Sequence, residues 1–324
     1  MANKPIVLHL GDAIRYNHAF YNEEFLARFK VMDPGNRDQQ GRIHASAKVK
    51  EVSKPQSSGY GDFSALFRPN FQTGGFMGRW DVELISLLPK SVRIFASAGA
   101  GFDWADIDVL SEHKIWYANG AGASDEAVSD TALYMILIVF RNFTCSQLAA
   151  RTADPEIFTT THKLIATISQ NPRGHILGIV GLGNISKKLA FKARMALGMN
   201  IHYFDHTRDL IDVKALSLMK PGSRIINTAR GPILNEDALV HALEIGHISA
   251  AALDVHHHEP QVSPRLASMD NVTLTTHIGG GALDTRINFE LNALKNILVV
   301  VGSDGEFAGD PITPVNRRAF EGTS

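Results

Sequence analysis

The apolar and polar positions of this chain change period several times. Residues 1–10 end in Ile6-Val-Leu-His-Leu10 and read as a first strand, too short and too polar for a signal peptide. Asp33 to Gly61 is polar and loop-rich. Leu84 to Leu88 reads as a short helix closed by Pro89, and Val92 to Ala96 as a strand running into small residues, Ser97-Ala-Gly-Ala-Gly101. Ile115 to Ala118 is a further strand ending at Asn119-Gly120. Ser124, with Asp125 and Glu126 after it, has the chemistry of a helix start, and the apolar run 132–140 continues that helix to about Phe143. That run is far short of the ~20 residues of a membrane span.

From His175 onward strand and helix alternate, which predicts a parallel sheet. Strands are expected at 175–180, 200–204, 224–228, 249–253 and 272–276. Helices are expected at 184–197, stopped by Gly198, at 210–219, at 236–245, stopped by Gly246, and at 284–301. The last helix leads the chain back to the first domain, so that the tail packs beside residues 1–118. The expected division is a domain of 1–120 with 293–324, and a second of 121–292.

Composition narrows the function. A chain of 324 residues, 44% hydrophobic, can build two cores. A net charge of -1 offers no field for nucleic acid or an anionic membrane. The single cysteine, Cys145, excludes an internal disulfide and sits in an apolar stretch, as a small buried hydrophobe does. A cytoplasmic location is expected.

Two sets of residues carry chemistry. Gly181-Leu-Gly183-Asn184-Ile185-Ser186 follows a strand and opens a helix. The first glycine permits the turn, the second lets backbone approach a pyrophosphate, and the helix start offers amides to that anion. Asp205 ends the next strand, 22 residues after Gly183, where a carboxylate accepts ribose hydroxyls and disfavours a 2′-phosphate, so NAD is the expected cofactor; Arg208 nearby tempers that preference. Arg230, Glu259 and His277 each lie just beyond a predicted strand. Arginine suits a carboxylate, and a histidine beside a carboxylate suits proton transfer. Taken singly, each also has an ordinary use as a surface or loop residue. His256-His-His258 invites a metal, but adjacent histidines converge poorly on one ion and nothing completes a tetrahedron, so none is expected.

The stretches 220–231 (ending Asn227-Thr-Ala-Arg230-Gly231), Leu253-Asp254-Val to Glu259-Pro260, and Thr275-Thr-His277-Ile-Gly279-Gly280 resemble the signatures of the D-2-hydroxyacid dehydrogenase family. Tyr60 to Phe63, Gly101 to Trp104, Ala150 to Glu156 and Asn171 to His175 are similar to its fungal D-mandelate dehydrogenase branch. The resemblance implies a doubly wound Rossmann-like domain, a flavodoxin-like substrate domain, a homodimer formed through the helix after Asp130, and a small 2-keto or 2-hydroxy acid substrate, bulky or aromatic. It implies that His277 is the acid/base, Glu259 its partner and Arg230 the substrate-orienting residue, with backbone amides near Ala98 and Gly99 taking the substrate carboxylate. It places Asp254 at the nicotinamide amide, and adds Thr228, Ala229, Gly279 and Gly280 to Gly181, Gly183, Asn184, Ile185 and Asp205 as nucleotide contacts.

One departure stands out. Only 21 residues separate Asp205 from Asn227. Two further strands with their helices need roughly 65 residues, so about 45 are missing after Arg208. The sheet then either keeps a gap or closes to the order 2-1-3-4-5. Besides the active enzyme, two readings follow: a shortened, catalytically impaired product, or a non-catalytic nucleotide-sensing or interaction protein on the same scaffold.

Overall fold

The computed structural model describes residues 4–32, 62–69, 79–204 and 211–321. The polar segment from Asp33 to Gly61, Asp205 and Arg208 lie outside them. The chain forms two compact units, Met1–Ser124 with Ala282–Ser324, and Asp125–Gly281. The expected boundary at 292/293 would cut a helix that the structure keeps whole in the first unit.

The first unit holds five parallel strands: β1 (Ile6–His9), β2 (Lys30–Met32), β3 (Ala65–Arg68), β4 (Ile94–Ser97) and β5 (Trp116–Ala118), in the order β2-β1-β3-β4-β5. This is the flavodoxin-like order. The central strands are buried on both faces, as parallel sheets require. Trp80, Leu84, Ile85, Leu110 and Tyr117 pack one face. Phe25, Phe29, Phe289, Leu294 and Ile297 pack the other. Around the sheet lie α1 (His18–Phe20) and α2 (Leu26–Arg28), joined by a π turn, then α3 (Val82–Ile85), α4 (Ile107–Glu112) and the long α12 (Leu283–Val300). The short helix expected from Leu84 begins earlier, because Asp81 accepts from the amides of Glu83 and Leu84 and fixes its start. The tail returns here: the Val315 amide donates to the Tyr117 carbonyl at 2.9 Å, and Phe320 stacks on Trp116.

The second unit opens with α5 (Asp125–Arg141). It stops two residues before the expected Phe143, because Asn142 takes a left-handed backbone (φ 54°) and turns the chain into α6 (Phe143–Arg151) and α7 (Pro155–Ile168). Then follow β6 (Ile176–Val180), α8 (Asn184–Leu197), β7 (Asn200–Phe204), α9 (Val213–Ser217), β8 (Ser223–Asn227), α10 (Glu236–Glu244), β9 (Ile248–Leu253), α11 (Pro264–Ala267) and β10 (Val272–Leu274). All strand pairs are parallel, but the sheet is in two pieces, β6-β7 and β10-β9-β8.

Of the two arrangements left open by the short 205–227 segment, the structure adopts the gap. Among the described residues, β6 pairs with β7 alone and β8 with β9 alone. Both pieces lean on α5, whose Met135, Ile136, Ile138 and Val139 share one cluster with Ala193 and Met199 on one side and Ala250 and Ala252 on the other. Arg224 holds β8 in place. Its guanidinium lies 4.1 Å from the Phe140 ring centroid and donates to the Val139 carbonyl and to Gln170. On β6, Ile176 and Val180 are exposed, where the interior of a complete parallel sheet would bury them. No single helix among the described residues is long and apolar enough to cross a membrane.

Candidate active site

Strand register levels the site. Asn227, Leu253 and Leu274 lie side by side across β8, β9 and β10. Three residues beyond each stand Arg230, His256 and His277, on the carboxyl edge where parallel sheets place ligands. The ladder continues past the strands: the Asp254 amide donates to the Asn227 carbonyl at 2.9 Å, and the His277 amide to the Asp254 carbonyl at 2.8 Å.

The predicted pair is formed. His277 Nδ1 lies 2.8 Å from Glu259 Oε2, with both side chains open to solvent on one side. With a carboxylate accepting at Nδ1, the neutral ring leaves Nε2 bare, and the protonated ring presents an Nε2–H to whatever oxygen approaches. The other carboxylate oxygen, Oε1, accepts from the His256 amide at 2.9 Å.

His277 itself has a left-handed backbone, φ 56°. Asp254 supports that turn. Its carboxylate accepts from Thr275 Oγ1 at 2.6 Å, from the Ile278 amide at 2.8 Å and from the Gly279 amide at 2.7 Å. Asp254 is only 2% exposed. The structure therefore puts its carboxylate to work in the His277 loop, a use the sequence did not announce. At Gly279 the amide donates to Asp254 and the carbonyl accepts from Thr131 Oγ1. A Cβ at Gly279 would stand 2.7 Å from the Asp254 carboxylate, which is why glycine is needed there. Gly280 is half-buried beside it.

Arg230 leaves the end of β8 under the control of Asn227, which the sequence reading passed over. The Asn227 amide nitrogen donates to the Arg230 carbonyl, and its oxygen accepts from the Ala229 amide. The Ala229 amide is thus already bonded, Thr228 is half-buried, and the Arg230 guanidinium donates to the Ala229 carbonyl at 2.7 Å. Gly231 lets this loop touch the histidine loop. A Cβ there would fall 2.0 Å from the His256 carbonyl oxygen. Among the described residues no three His, Cys, Asp or Glu side chains converge as metal ligands.

The glycine turn sits at the carboxyl end of β6. Gly181 needs its positive φ of 85°, and the side of Gly183 on which a Cβ would stand is open. No side chain caps α8, so the amides of Asn184, Ile185 and Ser186 are offered at its start. This room and these donors fit a pyrophosphate. In the first unit, the Ala98 amide donates to the Arg68 carbonyl at 2.8 Å, so the expected carboxylate donor at that position is spent in the sheet. Gly99, half-buried, has no such bond to its amide; its carbonyl accepts from Gly120.

Comparison with known proteins decides the family. The model of the D-isomer specific 2-hydroxyacid dehydrogenase NAD binding domain matches residues 204–279. The 4-methyl-2-oxopentanoate reductase A of Aspergillus oryzae is 30% identical over 273 residues, 74% of this chain and 80% of that one. The chain belongs to the D-isomer-specific 2-hydroxyacid dehydrogenases. The apo crystal structure of D-mandelate dehydrogenase from Rhodotorula graminis superposes with a TM-score of 0.88 at 38% identity, over 97% of this chain and 98% of that one. A putative 2-hydroxyacid dehydrogenase of Schizosaccharomyces pombe is 29% identical over 334 residues, 92% of this chain and 93% of that one. Since 92% of 324 residues is about 298, about 36 of those 334 positions have no counterpart here. NAD is the cofactor of the family's nucleotide domain. When bound it supplies or accepts the hydride, and Gly181, Gly183 and the first amides of α8 are the described residues that would hold it.

Proposed function

We propose that this dehydrogenase interconverts a bulky or aromatic 2-keto acid and its D-2-hydroxy acid. The observation that carries the reading is the Glu259–His277 pair, set on a turn that Asp254 builds and level with Arg230. Arg230 orients the substrate carboxylate through its planar fork. Protonated His277 gives its Nε2 proton to the carbonyl oxygen as hydride reaches the carbon, and takes it back in the reverse direction. The names of the relatives span mandelate, glyoxylate and 4-methyl-2-oxopentanoate, and support the class of acid.

NADH oxidation by the purified chain with phenylglyoxylate, glyoxylate and 4-methyl-2-oxopentanoate tests this. Turnover favouring the larger acids, reduced about 10²–10⁴-fold by His277→Ala, is the expected result. Preference for glyoxylate refutes the substrate assignment.

The divided sheet favours a second reading, a shortened and impaired form. The glycine turn and Arg230 stand on different pieces of sheet, and ~1 Å of misplacement can cost on the order of 10²-fold in rate. A folded chain that binds NADH without turnover, and gains it when a strand-helix-strand-helix segment from a relative is inserted after Arg208, would establish that reading.

A further inference from the structure

His256 belongs to a histidine triplet that the family signatures leave unused, and it is held like a working part of the site. It is 5% exposed. Its ring Nε2 lies 2.8 Å from the Thr275 carbonyl oxygen. A carbonyl only accepts, so Nε2 carries the hydrogen, and Nδ1 is buried without a partner. Its main-chain amide donates to Glu259 Oε1. One residue thus grips both sides of the acid/base pair: Glu259 through its amide, and the end of β10, two residues before His277, through its ring. A buried imidazole with one nitrogen unpaired carries a desolvation penalty that an apolar ring of similar shape would avoid.

We propose that His256 is a positioning residue for the acid/base pair, and that its ring hydrogen bond to Thr275 holds His277 in register with Glu259. The inference rests on the proposed role of His277, but its primary test does not require turnover. Neutral His277 paired through Nδ1 is an Nδ1–H tautomer, whereas a ring released to solvent passes mainly to the Nε2–H form. The two are told apart by their ring nitrogen shifts in long-range proton–nitrogen spectra of the protein labelled at histidine. Spectra are taken at roughly pH 8, where an ordinary imidazole is neutral, and the His277 signals are assigned by their loss in His277→Asn.

The wild-type chain is expected to show His277 as Nδ1–H. His256→Phe, which keeps the ring's bulk and removes the donor, is expected to move it toward Nε2–H. His256→Gln, whose amide nitrogen reaches the same carbonyl, is expected to retain the wild-type pattern. If His256→Phe does not fold, His256→Asn, too short for the bond, takes its place. An Nδ1–H signature unchanged in the donor-less variants, or absent from the wild type, overturns the proposal. Where wild-type turnover is seen, the loss of one hydrogen bond is expected to lower kcat about tenfold with KM within about twofold, and His256→Gln to recover it. A wild type that shows the tautomer and turns over no acid refutes the proposed function while leaving the positioning role intact.

Discussion

Asp254→Asn is a nearly isosteric change with a large expected effect. Asp254 Oδ1 accepts from Thr275 Oγ1 and the Ile278 amide, and Oδ2 from the Gly279 amide. An asparagine has one carbonyl oxygen. Whichever way its amide turns, the NH2 group faces a main-chain N–H, that of Ile278 or that of Gly279, at a distance now held by a hydrogen bond of 2.7–2.8 Å. Thr275 can rotate its hydroxyl to accept, but a main-chain amide cannot reverse. One bond to a charged acceptor is lost, about 1.5–3 kcal/mol, and one buried donor is left unpaired, about 1–3 kcal/mol. The sum is about 3–5 kcal/mol once the turn relaxes. For a unit of this size each kcal/mol lowers Tm by about 2–4 °C, so the expected fall is about 6–20 °C. Scanning calorimetry of the two proteins at neutral pH measures it. A Tm within about 1 °C of the parent would refute the hydrogen-bond assignment and, with it, the account of how His277 keeps its left-handed backbone.

Gly231→Ala places a Cβ 2.0 Å from the His256 carbonyl, so one loop must retreat by roughly 1 Å; the expected outcome is a ~10²-fold lower kcat/KM from misplacement of Arg230, read by steady-state kinetics, and a change below threefold would count against the loop contact. At low pH the charge clasp between α5 and α8 opens. Hydrogen bonds from Lys188 and Lys192 hold Glu126 down to about 2 from an ordinary value of 4.5, so its contribution is complete above about pH 4.5 and is lost as pH falls toward 2. Thermal melts at pH 5 and pH 3 should therefore differ more in the parent than in Glu126→Gln, and equal differences would remove the clasp as a cause.

The chemistry of the site was legible because it is local. Gly181 and Gly183 mark a turn, Arg230, Glu259 and His277 are residue types that suit carboxylate binding and proton transfer, and each lies beyond a short run of apolar residues that reads as a strand. The contacts that the sequence did not reveal share one property: they depend on which group of a neighbouring segment reaches the residue. Asn227 looks like a strand-end polar residue until its amide is seen across Ala229 and Arg230. Asp254 reads as a polar residue at a strand end, and only the positions of the Ile278 and Gly279 amides show that it builds the His277 turn. The Ala98 amide is taken by a sheet hydrogen bond to Arg68, thirty positions earlier in the chain, a pairing that no local pattern announces. The elements of 18–28, 65–68 and 107–112 escaped notice because short segments carry too few periods to separate strand from helix.

By itself the sequence determined the α/β class, the glycine turn, the placing of Arg230, Glu259 and His277 beyond strands, and the shortage of chain between Asp205 and Asn227, since each follows from residue type, spacing or length. It could not determine how the shortage is absorbed. Closing the sheet would have joined β8 to β6 by a new ladder; keeping the gap preserves the register of β8 on β9 and the anchorage of Arg224 on Phe140, Val139 and Gln170. That choice rests on packing against α5, a helix more than eighty residues earlier in the chain, and contacts so distant in sequence exist only once the tertiary structure has formed.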